Sequence, residues 1–369
     1  MGHTFELTTE LLQPVLGRLL DVEAAQPKAF GLIALKPGAG NPTSLGVYRV
    51  SGQALVAGEP RNFSLVVKHL ANGLPMMDAS KEEYWNYWRR EMVFFESPIA
   101  KRIPASIGYP TYLGQSDLPD GSALFWNSDL GDLTKTQWTW DQCLNAARLV
   151  AELNSIDSSD LDQYKWLNRN QPDGWHDFYA AWGAPDPRAA LFQYAQSQPS
   201  SAALLDISKP YILDHDLIKG ILYSGRHTFV HGDFNLNNLV PVTNGDITLI
   251  ALDWQLAGVA RIGTEVAAIF NVAIEHGVCG VTEAKFNELC LAYTERFNLL
   301  NPAAPASIDE VRLAAAAMGY FIIEGLAMFY SNPTPEDPRE VAQQKIAELF
   351  KTYVTTPIHI YAKVLTDLL

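Results

Sequence analysis

The stretch His231-Gly232-Asp233-Phe234-Asn235-Leu236-Asn237-Asn238 is followed, past two apolar runs, by Asp253-Trp254-Gln255. The runs are Leu239–Val242 and Thr248–Leu252, and Asn244-Gly245 lies between them. Asn-Gly in that setting is the strongest short-range hairpin signal, because both central residues of a type I′ turn need positive φ. With Asn244 and Gly245 as the turn pair, Asn238 stands opposite Ala251, and Asp253 lies just past the same open end. Asp233 falls in the loop immediately before. Two carboxylates and one amide oxygen therefore converge at the mouth of one hairpin. Such an all-oxygen donor set suits hard Mg²⁺ far better than zinc.

The spacing fits a division of labour found in phosphoryl transfer. There an Asp serves as base, an Asn five residues later holds metal, and a later Asp holds Mg²⁺ against the nucleotide phosphates. Asp233, Asn238 and Asp253 occupy those three places. An Asp-x-x-x-x-Asn alone carries no information, but His, Gly, Asp and Asn together recur by chance roughly once in 10⁵ positions.

On these residues the sequence resembles the aminoglycoside phosphotransferase/choline kinase-like superfamily of small-molecule kinases. The family pattern His-Gly-Asp-x-x-x-x-Asn, then Asp-Trp or Asp-Phe after a hairpin, stands here as His231–Asn238 and Asp253-Trp254. Gly258 and Glu265-Val266-Ala267-Ala268 resemble the family's downstream glycine and Asp-Leu-Ala segment. The resemblance is specific over 229–270 and weaker back to residue 29. It implies a bilobal, protein-kinase-like α+β fold, with a small antiparallel-sheet N-lobe (1–126) and a larger, mainly helical C-lobe (127–369). It also implies Mg²⁺-dependent transfer of the γ-phosphate of ATP or GTP to a small-molecule hydroxyl. Two positions depart from the pattern. Leu153-Asn154 replaces the usual Leu-His, and Glu265 replaces the Asp of Asp-Leu-Ala. Gly232, where protein kinases have Arg, and the lack of Ala-Pro-Glu after Asp253 disfavour a protein substrate. The alternative is a catalytically silent kinase-like module that binds nucleotide or ligand.

Outward from the hairpin, the N-terminal third reads as strands with one helix. Strands are expected at Ala29–Leu35, Gly46–Val50, Phe63–Leu70 and Ala123–Trp126, with Gly/Pro turns between the first three. Ser64-Leu65-Val66-Val67-Lys68 is an apolar strand ending in a lysine, like the family's third strand. A capping box, Ser80 with Glu83, predicts a helix running to about Glu96. On it Tyr84, Trp88, Glu91 and Phe95 share one face, so Glu91 is the expected partner of Lys68. Gly40, Asn41 and Ser44, in the 38–44 loop, are candidates to touch phosphates, although an ordinary Gly/Pro turn explains the loop as well. The interlobe hinge is expected at 125–130, where the residues leave ATP and GTP open.

Beyond residue 131 helices are expected from Asp141 to Asn154 and near 264–276, 283–298, 308–330 and 337–352. The span Leu313–Tyr330 is apolar except for Glu324, which favours a buried helix over a membrane span. Glu324 is either paired in the core or pointed into a pocket. Trp126, Trp138, Trp140, Trp166, Trp175 and Trp182 lie among several aspartates, and either pack a subdomain or hold a cationic substrate.

Charge narrows the partners. Of the net −14, residues 1–130 carry −2 and residues 131–369 carry −12. That balance opposes nucleic acid and leaves a cationic small-molecule substrate open. Cys143, Cys279 and Cys290 show neither disulfide nor zinc spacing. The N-terminus lacks a basic start and apolar run, so a cytoplasmic location and no membrane partner are expected. Oligomeric state is not legible in the sequence.

Overall fold

A computed structural model describes residues 5–35, 43–72, 78–131, 137–174, 215–244, 247–280, 282–331 and 357–369. The chain enters through α1 (Thr9–Leu20), capped by the Thr8 hydroxyl, and leaves it at Asp21 with φ 51°. Three long strands follow: β1 (Gln26–Leu35), β2 (Ser44–Val56) and β3 (Glu59–Leu70). After α2 (Arg90–Glu96) come β4 (Ile107–Gly108), β5 (Tyr112–Asp117) and β6 (Ala123–Ser128). The first lobe is an antiparallel sheet in the order β1-β2-β3-β6-β5.

Its two faces do different work, as period-2 alternation requires. Leu65, Val67, Leu124 and Trp126 pack with Leu12, Val15 and Leu16 of α1 in a small core. The opposite face carries Lys68, with Phe125 beside it in register, and Phe125 belongs to a large core that continues into the second lobe. The apolar positions of α1 are what close the outer face of the sheet. That helix was not anticipated from the sequence.

The second lobe begins with α3 (Trp140–Leu153), then α4 (His215–Tyr223) and β7 (His227–Val230). The hairpin β8 (Leu239–Asn244) and β9 (Ile247–Ala251) is followed by β10 (Gly258–Arg261), which pairs with β7. Helices α5 (Glu265–Glu275), α6 (Glu283–Leu300), α7 (Ile308–Ser331) and α8 (Pro357–Leu368) complete it. The lobes are stitched together early: β4 leaves the N-terminal third to pair in parallel with β9. The architecture is bilobal α+β, a small antiparallel-sheet lobe and a larger helical lobe, consistent with a protein-kinase-like fold. Among the described residues no helix is long and apolar enough to cross a membrane.

Three local expectations are corrected. The helix expected from Ser80 to Glu96 is helical only over Arg90–Glu96, and residues 79–89 form turns. The cause is Arg90. Its guanidinium donates to the carbonyls of Tyr84 (2.5 Å) and Trp85 (2.7 Å), which a continuous helix would have used for Trp88 and Arg89. Ser80 donates instead to Asp78 at 2.8 Å. Second, Thr139 rather than Asp141 caps α3, in a capping box with Gln142. Third, the hairpin register is one residue off the expected one. Leu239 faces Ala251, and the Asn238 carbonyl accepts from Leu252 N at 2.8 Å. The register shifts between Pro241 and Asn244, which pairs with Ile247. The helix expected at 337–352 and the turn residue Gly245 lie outside the described residues. So do Trp175 and Trp182. Trp126, Trp138 and Trp166 are core residues, and Trp140 packs against that core.

Candidate active site

Alternation along β3 turns Lys68 toward the second lobe, where its ammonium meets two carboxylates. It lies 2.7 Å from Glu91 Oε2 and 2.9 Å from Asp253 Oδ1. Glu91 thus reaches Lys68 from a short helix instead of the long aromatic-faced one expected. Its other oxygen accepts the Trp254 backbone N–H at 3.2 Å. Burial disfavours the lysine's charge, but Asp253 and Glu91 outweigh it and hold the ammonium above its ordinary pKa. Burial likewise works against the Asp253 carboxylate, and the Lys68 charge overrides it, so this group stays below its usual range. Asp253 sits in the left-handed region, φ 61° and ψ 68°, a conformation uncommon outside glycine and costly to keep. Its side chain is 43% exposed, so it presents an open carboxylate at the mouth.

The loop before the hairpin is built on uncharged hydrogen bonds. Asn235 Nδ2 donates to Asp233 Oδ1 at 2.6 Å, and Asn238 Nδ2 donates to Oδ2 at 2.7 Å. Both amide orientations are determined by chemistry. Asn235 Oδ1 is engaged by the Asn237 backbone N–H at 2.9 Å, and Asn238 Nδ2 also serves the Asp233 carbonyl at 3.1 Å. Asn238 Oδ1 is thereby the oxygen that Asp233 does not engage. Burial first, and the Asp253 charge second, push Asp233 up to about 6 against these amides.

Beneath the loop, His231 Nε2 contacts the Leu252 carbonyl (3.0 Å), while Nδ1 accepts from Asp233 N (3.2 Å). That pattern requires the neutral Nε2–H tautomer, and burial drives the imidazole down to about 4. Gly232 has φ 85°, and a Cβ there would stand 2.2 Å from the Leu256 carbonyl, so only glycine fits. Glu265 Oε1 accepts from Gly232 N at 2.9 Å, and Gln171 donates to Gly232 O at 3.0 Å. The two positions that depart from the family pattern touch one another: Asn154 Nδ2 lies 3.3 Å from Glu265 Oε2. Asn154 also receives the Tyr293 hydroxyl (2.8 Å) and donates to Phe229 O (2.9 Å).

No protein-family profile and no curated protein matches this sequence. Solved structures do match its fold. A spectinomycin phosphotransferase in complex with ADP and spectinomycin aligns over 99% of this chain and 100% of its own, with TM-score 0.56 and 11% identity. A microcompartment-associated aminopropanol kinase covers 92% and 95%, with TM-score 0.50 and 14% identity. An amicoumacin kinase in complex with AMP-PNP, Ca²⁺ and Ami covers 88% and 89%, with TM-score 0.50 and 11% identity. The chain has the fold of the aminoglycoside phosphotransferase-like kinases.

Within that kinase fold, the candidates from the sequence divide into two groups. Lys68, Glu91 and Asp253 form one contact cluster, and Asp233 and Asn238 form another. Ser44 opens β2 opposite Leu70, and among the described residues no hydrogen bond joins it to either cluster. Gly40 and Asn41 lie outside the described residues. Sequence reasoning passed over Asn235, Gln171 and Arg90. Asn235 was findable, since it lies inside the quoted motif, two residues from Asp233. Gln171 carries no local signal, because its partner is the distant Gly232 carbonyl, and half of the carbonyls that hold Arg90, those of Trp166 and Gln255, are equally remote. Among the described residues no three His, Cys, Asp or Glu side chains form a metal centre. The oxygen set here has two carboxylates and an amide, which suits a hard cation.

Proposed function

We propose that this protein is a small-molecule kinase that transfers the γ-phosphate of ATP, or of GTP, to a hydroxyl of a small metabolite or antibiotic. The observation that carries this reading is the convergence of two differently held groups. Lys68 is bridged to Glu91 and Asp253, and Asp233 is gripped at both oxygens by Asn235 and Asn238. In this reading Asp233 accepts the proton of the acceptor hydroxyl. A carboxyl near 6 is largely ionised at neutral pH, yet basic enough to take a proton in the transition state. Lys68 contacts the α/β-phosphates, oriented by Glu91. Asn238 Oδ1 and the open Asp253 carboxylate would hold Mg²⁺, which when bound neutralises charge on the phosphates. The neighbours named above as phosphotransferase or kinase, two of them solved with ADP or AMP-PNP, support the reading.

The acceptor would lie against the C-lobe, where the acidic surplus is compatible with a cationic amino alcohol or amino sugar. A coupled ADP-release screen over amino alcohols, aminoglycosides, macrolides and sugars, with Asp233→Asn as blank, tests the proposal. Activity on one class, absent in the blank, is the expected result. A folded protein that binds no Mg-nucleotide by calorimetry ends the kinase reading. Nucleotide binding without transfer across the panel would favour a silent binding module.

A further inference from the structure

Where β7 and β10 meet the helices α4 and α7 lies a small cavity of about 30 Å³ that opens to the surface. Gln171, which donates to the Gly232 carbonyl, lines it, so the cavity adjoins the loop that carries Asp233. None of Lys68, Glu91, Asp233, Asn238 and Asp253 is part of its wall. Leu222, Val230, Val259 and Met318 give it apolar sides. Two hydroxyls at the wall are spent within the protein, Tyr223 on Asp173 at 2.8 Å and Thr264 on the Arg261 carbonyl at 2.9 Å. The amide of Asn168 is different. Asn168 lines the cavity and is 3% exposed, and its Nδ2 has no hydrogen-bond partner. Its orientation is determined by chemistry, because Oδ1 accepts the Asn170 backbone N–H at 3.2 Å. The donating end is thus the one left toward the cavity. Backbone bonds hold the residue there, from Asn168 N to Ala257 O (3.1 Å) and from Val259 N to Asn168 O (2.8 Å). A buried donor kept without a partner calls for an acceptor from outside the chain.

Charge says what kind of acceptor. Residues 131–369 carry −12, yet no carboxylate is among the described residues that line this cavity. Arg169 is among them. Its terminal nitrogens donate to the uncharged carbonyls of Tyr164 (3.1 Å), Leu167 (3.3 Å) and Leu161 (2.7 Å). Its ion-pair partner, the fully exposed Asp162, stands 3.4 Å away and is screened by water. The guanidinium therefore brings positive charge to a cavity whose unpaired buried atom is a donor. We propose that this cavity is a second ligand site, separate from the candidate active site, that binds a small-molecule carboxylate. One carboxylate oxygen accepts from Asn168 Nδ2 inside, and the other lies at the mouth in the field of Arg169. A volume of about 30 Å³ is the share of one water molecule, so the cavity admits a terminal group and leaves the rest of the ligand outside. This assignment does not depend on the kinase reading.

The test is calorimetric titration of the full chain with sodium acetate, with acetamide and sodium chloride as comparisons. Saturable acetate binding with a Kd on the order of 1 mM is expected, since so small a molecule gives little more. Acetamide has the same shape without the charge and is expected to bind at least about 10-fold more weakly. Asn168→Asp keeps the side-chain shape and the oxygen that Asn170 uses, but exchanges the donor for an anionic oxygen, and should abolish the binding. Asn168→Ala serves if the aspartate variant does not fold. No saturable heat from acetate in the wild-type protein overturns the proposal and leaves a cavity for water only. Acetamide or chloride binding as tightly as acetate also overturns it, because the carboxylate is then not what is recognised. Acetate binding that survives in a folded Asn168 variant overturns it by assigning the site to other residues.

Discussion

The two halves of the candidate site are held by opposite means. Lys68, Glu91 and Asp253 come from three distant segments and are joined by charge. Asp233, Asn235 and Asn238 come from six consecutive residues and are joined by uncharged amides on one carboxylate. The first half is strong while complete, but removing one member leaves a buried charge without its partner. The second loses one hydrogen bond at a time. The difference teaches that long-range assembly here relies on ion pairs, whereas local geometry is fixed by side-chain amides and backbone.

The largest effect is expected from breaking the charged half. Lys68→Met leaves Glu91, only 3% exposed, with no cation. ADP release should fall by at least about 10³-fold, and urea unfolding should show a loss of about 3 kcal/mol. Retained activity would mean that Lys68 is a structural counter-ion only.

Next in size is the backbone under the amide half. Gly232→Ala forces φ 85° on a residue with a Cβ and drives that Cβ into the Leu256 carbonyl. The expected cost is about 2–4 kcal/mol by chemical denaturation, together with loss of turnover. A variant as stable as wild type would show that the loop relaxes freely.

A third prediction concerns pH. Burial raises Glu265 to about 7 from an ordinary glutamate value of 4.5, while bonds from Gly232 and Asn154 oppose the shift. Between those values the folded state binds more protons than the unfolded one. Stability from this group is therefore complete below about 4.5 and is lost as pH rises through 7. Urea unfolding at pH 5 and pH 8 should differ by about 2–3 kcal/mol from this group, and Glu265→Gln should remove that part. An unchanged slope in the variant would assign the pH dependence to other groups.

The smallest effect sharpens the contrast. Asn235→Ala removes one of two amides from Asp233, so turnover should drop about 10-fold while the KM for nucleotide stays unchanged. A collapse as severe as that of Lys68→Met would erase the distinction between the halves.

What could be read in the sequence follows the same division. The loop and hairpin are encoded contiguously, so Asp233, Asn238 and Asp253 were legible from spacing, and only the register slipped, by one residue. Lys68 and Glu91 were legible through their resemblance to a known strand and through a helical face. The pair forms at 2.7 Å although most of that helix does not. Arg90 explains the failure. Local propensity and a capping box favoured a helix over 81–89, and a guanidinium one residue beyond took its carbonyls. The competitor is near in sequence, but the long-range bonds that hold it in place, to Trp166 and Gln255, leave no pattern within a short window. α1 and α8 went unread although both are amphipathic, since neither adjoins a chemical motif.

Arg90 has a mechanical consequence as well. Its fully buried guanidinium also donates to Trp166 O (2.6 Å) and Gln255 O (3.2 Å), so one side chain pins α2 to two segments of the larger lobe. α2 is thus pinned on both sides, through Arg90 to the larger lobe and through Glu96 to Tyr112 of the sheet. The Lys68 ammonium sits where these attachments meet, between a strand of one lobe and the Asp253 carboxylate of the other.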